Sequence, residues 1–434
     1  MKFKKLVVML LTLAMVAGLA ACGSSGGSGT SGGKDTKATT ANNGDTDKAD
    51  QATEGNGGEA ADVVMWYYWE NESHQKALNE MLDKYNASQS NYKMTAKYVP
   101  FADFKKQLSI GASASELPDL VLLDSPDHAS YASMGIFADL TGKFDVGTYY
   151  DGPVSSCTID GKLYGVPFGS NCLALYYNTD MFKAAGIENA PTTWDELQSA
   201  AEKLTKDNVT GIAFCSLQNE EGTFNFMPWV WSTGVGSYDI NSEGGKKALS
   251  FVKNLVDTGV MSKECINWTQ GDVMNQFISG NVAMMINGPW QIPTMKQEAP
   301  DLNWDVALIP KDKEYASDLG GENYAVIAGG NEAGALDFLG FATQQDQVSF
   351  MMNTMGYISA DKEIAKTQFT SEDEKVYQKF IEQMDYTKAR GPLADWPSVS
   401  DAISLAFNQV MTGAAQPDKA AEDAQATIDS IVTQ

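Results

Sequence analysis

From Asp62 onward strand and helix signals alternate along the chain, and this alternation narrows the available folds more than any other feature. Residues 62–69 (DVVMWYYW) read as a strand, after which Ala77, Leu78, Met81, Leu82 and Tyr85 recur at helical spacing. Residues 93–99 form a second predicted strand, Phe104 and Leu108 mark a second helix, and residues 119–123 (DLVLL) are an apolar run of buried-strand length. This β-α-β-α-β order predicts an α/β body with a parallel sheet covered by helices on both faces. Asp160-Gly161 is a hairpin-turn dipeptide, with antiparallel stretches predicted at residues 163–167 and 173–177. At residues 191–196 (PTTWDE), Thr193 and Glu196 form a capping box ahead of a stripe of Trp194, Leu197, Ala201 and Leu204. Further strands are predicted at residues 282–286, 304–308 and 324–327, and helices at 247–257, 273–278, 335–342, 347–355, 374–384, 399–411 and 419–432. The chain has no period of the length that builds solenoids.

The residues before Asp62 have a different character. Lys2, Lys4 and Lys5 precede an apolar run over residues 6–21, which is shorter than the roughly 20 residues a helix needs to span a bilayer and reads as an export signal. The run ends in Leu19-Ala20-Ala21-Cys22. That tetrapeptide resembles a bacterial lipobox, in which the thiol receives a diacylglycerol, the preceding peptide bond is cut, and Cys22 becomes the N-terminus. The resemblance implies a signal peptide over residues 1–21 and a lipid anchor, with more than one acyl chain giving stable attachment. An ordinary secreted protein with a cysteine after its signal is the alternative. Residues 23–61 hold no Val, Ile, Leu, Met, Phe, Tyr or Trp, so they cannot offset the entropy of ordering; with Cys22 they read as a lipidated, disordered tether. Its r.m.s. reach is about 35 Å and its limit about 130 Å. Two Gly-x-Ser-x-Gly matches, at residues 23–27 and 29–33, lack the strand and helix that a nucleophile elbow needs.

Residues 62–434 are too many for one ordinary core and enough for two lobes. The chain carries 31 basic and 56 acidic residues, a net charge of −25 that becomes −28 once the signal's three lysines are gone. Nucleic acid is excluded as a partner, because its binding depends on clustered Lys and Arg. Cys157, Cys172, Cys215 and Cys265 are too scattered for a disulfide framework and are expected as small buried side chains. His74 and His128 are the only histidines and no Cys-x-x-Cys occurs, so no metal or other cofactor is expected.

Residues 160–197 (DGKLYGVPFGSNCLALYYNTDMFKAAGIENAPTTWDEL), residues 277–290 (FISGNVAMMINGPW) and Gly320-Gly321 before a strand carry a resemblance. They resemble the extracellular solute-binding proteins of carbohydrate ABC importers, family 1, the group with the maltose-binding and glycerol-3-phosphate-binding proteins. The resemblance implies a two-lobe, periplasmic-binding-protein-like α/β fold of type II, with a ligand cleft between lobes that close by hinge motion. It implies crossovers near residues 168–172, 309–310 and 343–347. The N-terminal lobe would then be 62–168 plus 310–343, and the C-terminal lobe 169–309 plus 344–434. It also implies a sugar ligand, ABC permease subunits as partners, and a monomer anchored by lipid on the extracytoplasmic face of the cell membrane.

A sugar presents apolar C–H faces and a rim of hydroxyls, so its receptor needs flat aromatic platforms and polar side chains of fixed geometry. Trp290 stands in an Ile-Asn-Gly-Pro-Trp segment like the one that places a stacking tryptophan in maltose-binding proteins, with Gly288 two residues before it. Trp229 and Trp231, and Trp396 beside Pro397, are expected in loops that face the cleft, although any of them also suits a core position. Polar candidates follow strands, where open α/β sheets bind ligands. These are Glu70 after the first strand, which resembles a family position that takes a sugar hydroxyl, Asp124 and Ser125 after the third, and Ser170 and Asn171 at the first crossover. Trp66, Trp69, Gly321 and Tyr357 complete the set. Arg390 is the sole arginine and is a candidate fork for a carboxylate, a phosphate or a vicinal diol. Ser400 stands near where maltose-binding proteins place an aromatic, which argues against malto-oligosaccharide.

Three functions fit these residues: a non-enzymatic lipoprotein that delivers a sugar to an ABC permease, the same fold holding glycerol-3-phosphate or a glycerophosphodiester through Arg390, and a secreted glycoside hydrolase. The hydrolase needs two carboxyls about 5 to 9.5 Å apart in one cleft, and Glu70 with Asp124 is no compelling pair. Cys22→Ala is expected to move the protein from the membrane fraction to the medium or periplasm. Fractionation with lipid labelling checks this, and unchanged retention with no loss of label would overturn the anchor.

Overall fold

The computed structural model describes residues 60–432, so the export signal, Cys22 and nearly all of the tether lie outside the described residues. The first strand begins at Ala61, one residue earlier than the sequence suggests. Ala61–Tyr67 pairs in parallel with Tyr92–Tyr98 on one side and Leu120–Asp124 on the other. Helices Glu72–Ser88 and Phe101–Ala114 make the connections. The DLVLL run is buried on both sides because successive side chains enter different cores: Leu120 and Leu122 join one cluster with Val63, Met65 and Leu78, while Val121 and Leu123 join another with Trp66, Phe104 and Leu108.

This sheet is mixed, not parallel throughout. Gly320–Val326 inserts antiparallel between Leu120–Asp124 and Val166–Asn171, and Ile358–Ser359 adds an antiparallel edge. The alternation of the early residues predicts only the three parallel strands; the other three come from distant parts of the chain.

Asp160 and Gly161 both take positive φ, 52° and 75°, and close a tight hairpin between Thr158–Ile159 and Lys162–Leu163. The stretches at residues 163–167 and 173–177 do not pair with each other. Val166–Asn171 enters the six-stranded sheet, whereas Ala174–Asn178 is the centre of a separate antiparallel sheet with Met284–Asn287 and Trp304–Ala307. The chain therefore leaves one sheet for the other within Cys172 and Leu173. It comes back close by: Ser317 Oγ accepts from Leu173 N–H at 3.0 Å and donates to Leu173 C=O at 2.9 Å.

The core side chains move two of the expected crossovers. Ile309 and Ala316 pack in the core of the three-stranded sheet, and the chain joins the larger sheet at Gly320 instead of near residues 309–310. Helix Gln345–Met355 puts Met351, Met352 and Met355 into the core of the six-stranded sheet, so residues 344–359 pack there and not with the C-terminal residues. Core contacts return to the second cluster from Phe369 onward.

That second core is mostly helical. Helix Trp194–Leu204 starts as the sequence predicts, with Thr193 Oγ1 accepting from Glu196 N–H at 3.3 Å, although Glu196 accepts from Thr192 N–H instead of Thr193 N–H. Residues 220–232 correct the sequence reading more strongly. Trp229 and Trp231 sit in helix Glu220–Ser232, capped by Asn219, and both are fully buried in the core rather than in a loop facing the cleft. A helix buried on all sides carries no polar face, so its sequence shows no helical period. Trp396 likewise opens helix Trp396–Thr412 and is fully buried. The four cysteines are buried and free.

Trp229→Ala is expected to cost about 3–5 kcal/mol of stability, the usual loss for a large buried aromatic. Denaturant unfolding checks this; a loss of ligand affinity at unchanged stability would instead place the indole at a ligand.

Candidate functional site

A cleft of about 1050 Å³, open mouth included, lies where the two cores meet. The carboxyl ends of the parallel strands supply one wall: Tyr68, Trp69 and Glu70 follow Ala61–Tyr67, and Asp124 ends Leu120–Asp124. The antiparallel strand that begins at Gly320 brings Gly321 and Glu322 to the same edge, with Glu322 in register with Asp124 and Gly320 with Asn171. Both glycines are required there. A Cβ at Gly320 would meet Asn171 Oδ1 at 2.2 Å, and Gly321, at φ 137°, would meet Gly169 C=O at 2.1 Å.

The opposite wall comes from helix Glu220–Ser232, through Glu220, Glu221 and Phe224, and from the turn at Pro289–Gln291, which carries Trp290. Trp290 packs against the cores of both sheets, its ring 6.1 Å from Phe224 and 6.3 Å from Tyr357. Asn71 Nδ2 donates to Trp290 C=O at 3.2 Å, which ties the loop after the first strand to this turn.

The structure brings Trp69, Glu70, Asp124, Asn171, Trp290, Gly321, Tyr357 and Arg390 together on this cleft. The remaining sequence candidates lie elsewhere. Trp66 is in the core on the far side of the sheet with Lys97 over its ring, and Ser125 and Ser170 line a separate small hollow beside Gly391 and Pro392. Gly288 underlies the Trp290 indole, where a Cβ would lie 1.9 Å from the ring, so it allows the turn rather than lining the space. Trp396 stands behind the wall, donating from Nε1 to both oxygens of the Glu220 carboxylate at 3.0 Å. Ser400 is also internal, hydrogen bonded to Thr223.

Arg390 is not the open fork that its sequence setting suggests. It is 3 % exposed and pairs with Glu220, with Asp124 at 3.4 Å and with Asp318 at 3.1 Å, while Phe224 covers its guanidinium carbon at 4.4 Å. Lys105 adds contacts to Asp127 at 3.0 Å and Glu220 at 3.6 Å. Glu220 is buried, which favours its neutral form, but Lys105 and Arg390 outweigh this and hold it below the usual carboxylate range. The other carboxyls are less well compensated. Burial pushes Asp124 up to about 8 against the pull of Arg390, Asp127 up to about 6 against Lys105, and Asp318 well above its ordinary value.

The sequence reading missed Tyr68, Glu220, Glu221, Phe224 and Glu322. Glu322 Oε1 accepts from Tyr357 Oη at 2.8 Å, Tyr68 Oη at 3.0 Å and Trp69 Nε1 at 3.1 Å. Burial nonetheless pushes Glu322 up to about 7. Burial likewise raises Glu221 to about 8, although Gln270 N–H donates to it at 2.5 Å. A signal for Glu322 did exist, since it directly follows the glycine pair at the start of a strand.

For Asp124, Glu221 and Glu322 the folded pKa lies above the unfolded value of about 4. The folded protein then binds more protons than the unfolded chain at neutral pH, so stability falls as pH rises through the folded values. His74 and His128, lowered by burial to about 4 and about 3, act in the opposite sense only below about pH 6.5. The melting temperature of the ligand-free protein is therefore expected to drop between pH 6.5 and 8, with Glu322→Gln making the slope shallower. Calorimetric melts across this range check it; a rising or flat profile would contradict the assignment.

Comparison with known proteins bears on what such a cleft serves. Residues 80–378 match the family of bacterial extracellular solute-binding proteins. A lactose-binding protein of Rhizobium radiobacter is 27% identical, covering 64% of this chain and 70% of its own length. A galactooligosaccharide-binding protein of Bacillus subtilis is 22% identical over 85% of this chain and 89% of its own. The crystal structure of an ABC transporter solute-binding protein from Thermotoga lettingae, bound with α-D-tagatose, superposes with a TM-score of 0.80 at 23% identity, covering 86% of this chain and all of the other. The fold is that of the two-lobe solute-binding proteins, and the chain belongs to the bacterial extracellular solute-binding protein family.

Proposed function

We propose that the protein captures a sugar or oligosaccharide outside the cytoplasm and delivers it unmodified to an ABC permease. The observation that carries this reading is the composition of the cleft: Phe224, Trp290 and Tyr357 offer ring surface beside a set of carboxylate and amide acceptors. Ring faces suit the C–H faces of a pyranose, and carboxylates accept its hydroxyls. The lactose, galactooligosaccharides and tagatose named for the relatives belong to the same class.

The finer features complete the proposal. The lobes meet at chain crossings at residues 172–173, 318–320 and 360–368, and a ligand that touches both walls shifts the population toward a closed form. The protein acts as a monomer, held by lipid at Cys22 and spaced from the membrane by the residues before Ala61. The glycerol phosphate alternative has less support, because Arg390 is the one cation among the described residues lining the cleft and it is already paired with three carboxylates. The hydrolase alternative predicts cleaved product.

Calorimetry of the purified protein against neutral mono- and oligosaccharides tests the reading, with recovery of intact sugar as the check on turnover. Trp290→Ala is expected to weaken binding by about 2 kcal/mol, roughly thirtyfold, in a protein that still folds. Wild-type affinity in the folded variant would return Trp290 to a packing role, and failure of every sugar to bind would overturn the reading.

A further inference from the structure

Two carboxylates occupy paired positions on neighbouring strands at the cleft: Asp124 and Glu322 are register partners across Leu120–Asp124 and Gly320–Val326. Like charges placed opposite each other in a sheet repel, and burial sharpens the conflict unless a cation intervenes. Asp124 has such a cation in Arg390. Among the described residues, no ion pair reaches Glu322.

Glu322 is also held in an unusual way. It is 3 % exposed, its Oε1 takes all three donors from Tyr68, Trp69 and Tyr357, and its Oε2 is buried with no partner. Three donors converging on one oxygen fix the carboxylate plane and leave the other oxygen of this cleft-lining residue as an oriented acceptor without a donor. A neutral hydroxyl would fill that hydrogen bond but leave the charge uncompensated. An ammonium group fills both needs, and charge-assisted hydrogen bonds are about twice as strong as neutral ones.

The surroundings point the same way. The cleft is lined by Glu70, Asp124, Glu220, Glu221 and Glu322 against the single guanidinium of Arg390, which Asp124, Glu220 and Asp318 already neutralise. The rings of Tyr68, Trp69, Trp290 and Tyr357 around the same cleft add electron-rich faces that attract a cation. Burial raises the pKa of Glu221 and Glu322, neither of which has an ion-pair partner among the described residues, and this is the response expected of carboxylates without a counter-charge.

We propose that the sugar bound in this cleft carries a free primary amine, and that its ammonium group donates to Glu322 Oε2, with Tyr68, Trp69 and Tyr357 positioning that carboxylate. This rests on the reading of the cleft as a sugar site and adds the charge of the ligand to it.

Calorimetry separates the two readings. Glucosamine, galactosamine and the β-1,4 dimer of glucosamine are titrated beside their N-acetylated and neutral hydroxyl counterparts. At least one amino sugar is expected to bind about tenfold or more tightly than both of its counterparts. Glu322→Gln keeps the shape and removes the charge, and is expected to erase that preference. Tyr357→Phe, which removes one of the three donors to Oε1, is expected to reduce the preference in part; it serves as the second variant should Glu322→Gln fail to fold. Neutral sugars that bind as well as or better than amino sugars would overturn the amine while leaving sugar capture standing. An amine preference that survives in folded Glu322→Gln or is unchanged in Tyr357→Phe would overturn the assignment to Glu322. If no sugar of either kind binds, the sugar reading falls and this inference falls with it.

Discussion

The buried guanidinium of Arg390 is the interaction on which the cleft depends. Its partners come from separate parts of the fold: Asp124 ends a strand of the larger sheet, Glu220 begins a helix of the second core, and Asp318 belongs to the short strand just before the chain re-enters the larger sheet. Removing one member of such a set leaves a buried charge without compensation, typically a loss of several kcal/mol. Trp396 and Lys105 fix the Glu220 end of the network, the first through its indole N–H and the second through its ammonium. The position of Glu220 and Phe224 opposite Asp124 therefore follows from electrostatics as much as from apolar packing.

A second consequence is the division of labour among the aromatic side chains. Trp229, Trp231 and Trp396 stabilise the second core, and their polar edges are spent within the protein or left behind the wall. Trp69, Tyr68 and Tyr357 aim their donors at one carboxylate oxygen, whereas Trp290 is half-buried and touches both cores. Ring type alone does not separate these roles. Position relative to the ends of the strands does.

The comparison of individual elements shows what kind of information a sequence holds. The DLVLL run, the stripe of Trp194, Leu197, Ala201 and Leu204, and the Asp160-Gly161 turn were all legible, because each rests on the period of a single element or the φ preference of a single residue. Helix Glu220–Ser232 was not, since burial on every side removes the polar face from which a helical period is read. Residues 173–177 were recognisable as a strand, yet their partners lie more than a hundred residues further along the chain. Of the candidate site, Glu70, Asp124 and Asn171 were legible from the ends of strands and a crossover, Trp290 from a short segment with a family resemblance, and Arg390 from being the sole arginine. Glu220 was not, and the glycine pair before Glu322 marks that residue's place but not its role, because what distinguishes both is the partners that burial gives them.

The sequence by itself determined that an α/β body follows a hydrophilic N-terminal stretch, that three early strands run parallel, and that the chain carries the marks of an extracellular solute-binding protein. These follow from local periodicity, composition and short segments, which the order of residues contains directly. Only the tertiary structure decided that the sheet is mixed, where the chain crosses between the cores, that Arg390 is consumed by three carboxylates, and that Glu322, a residue lining the cleft, keeps one buried oxygen without a donor. The physical reason is that the charge state and free valency of a buried polar group depend on every neighbour that desolvates or pairs with it, and those neighbours are assembled from residues far apart in the chain.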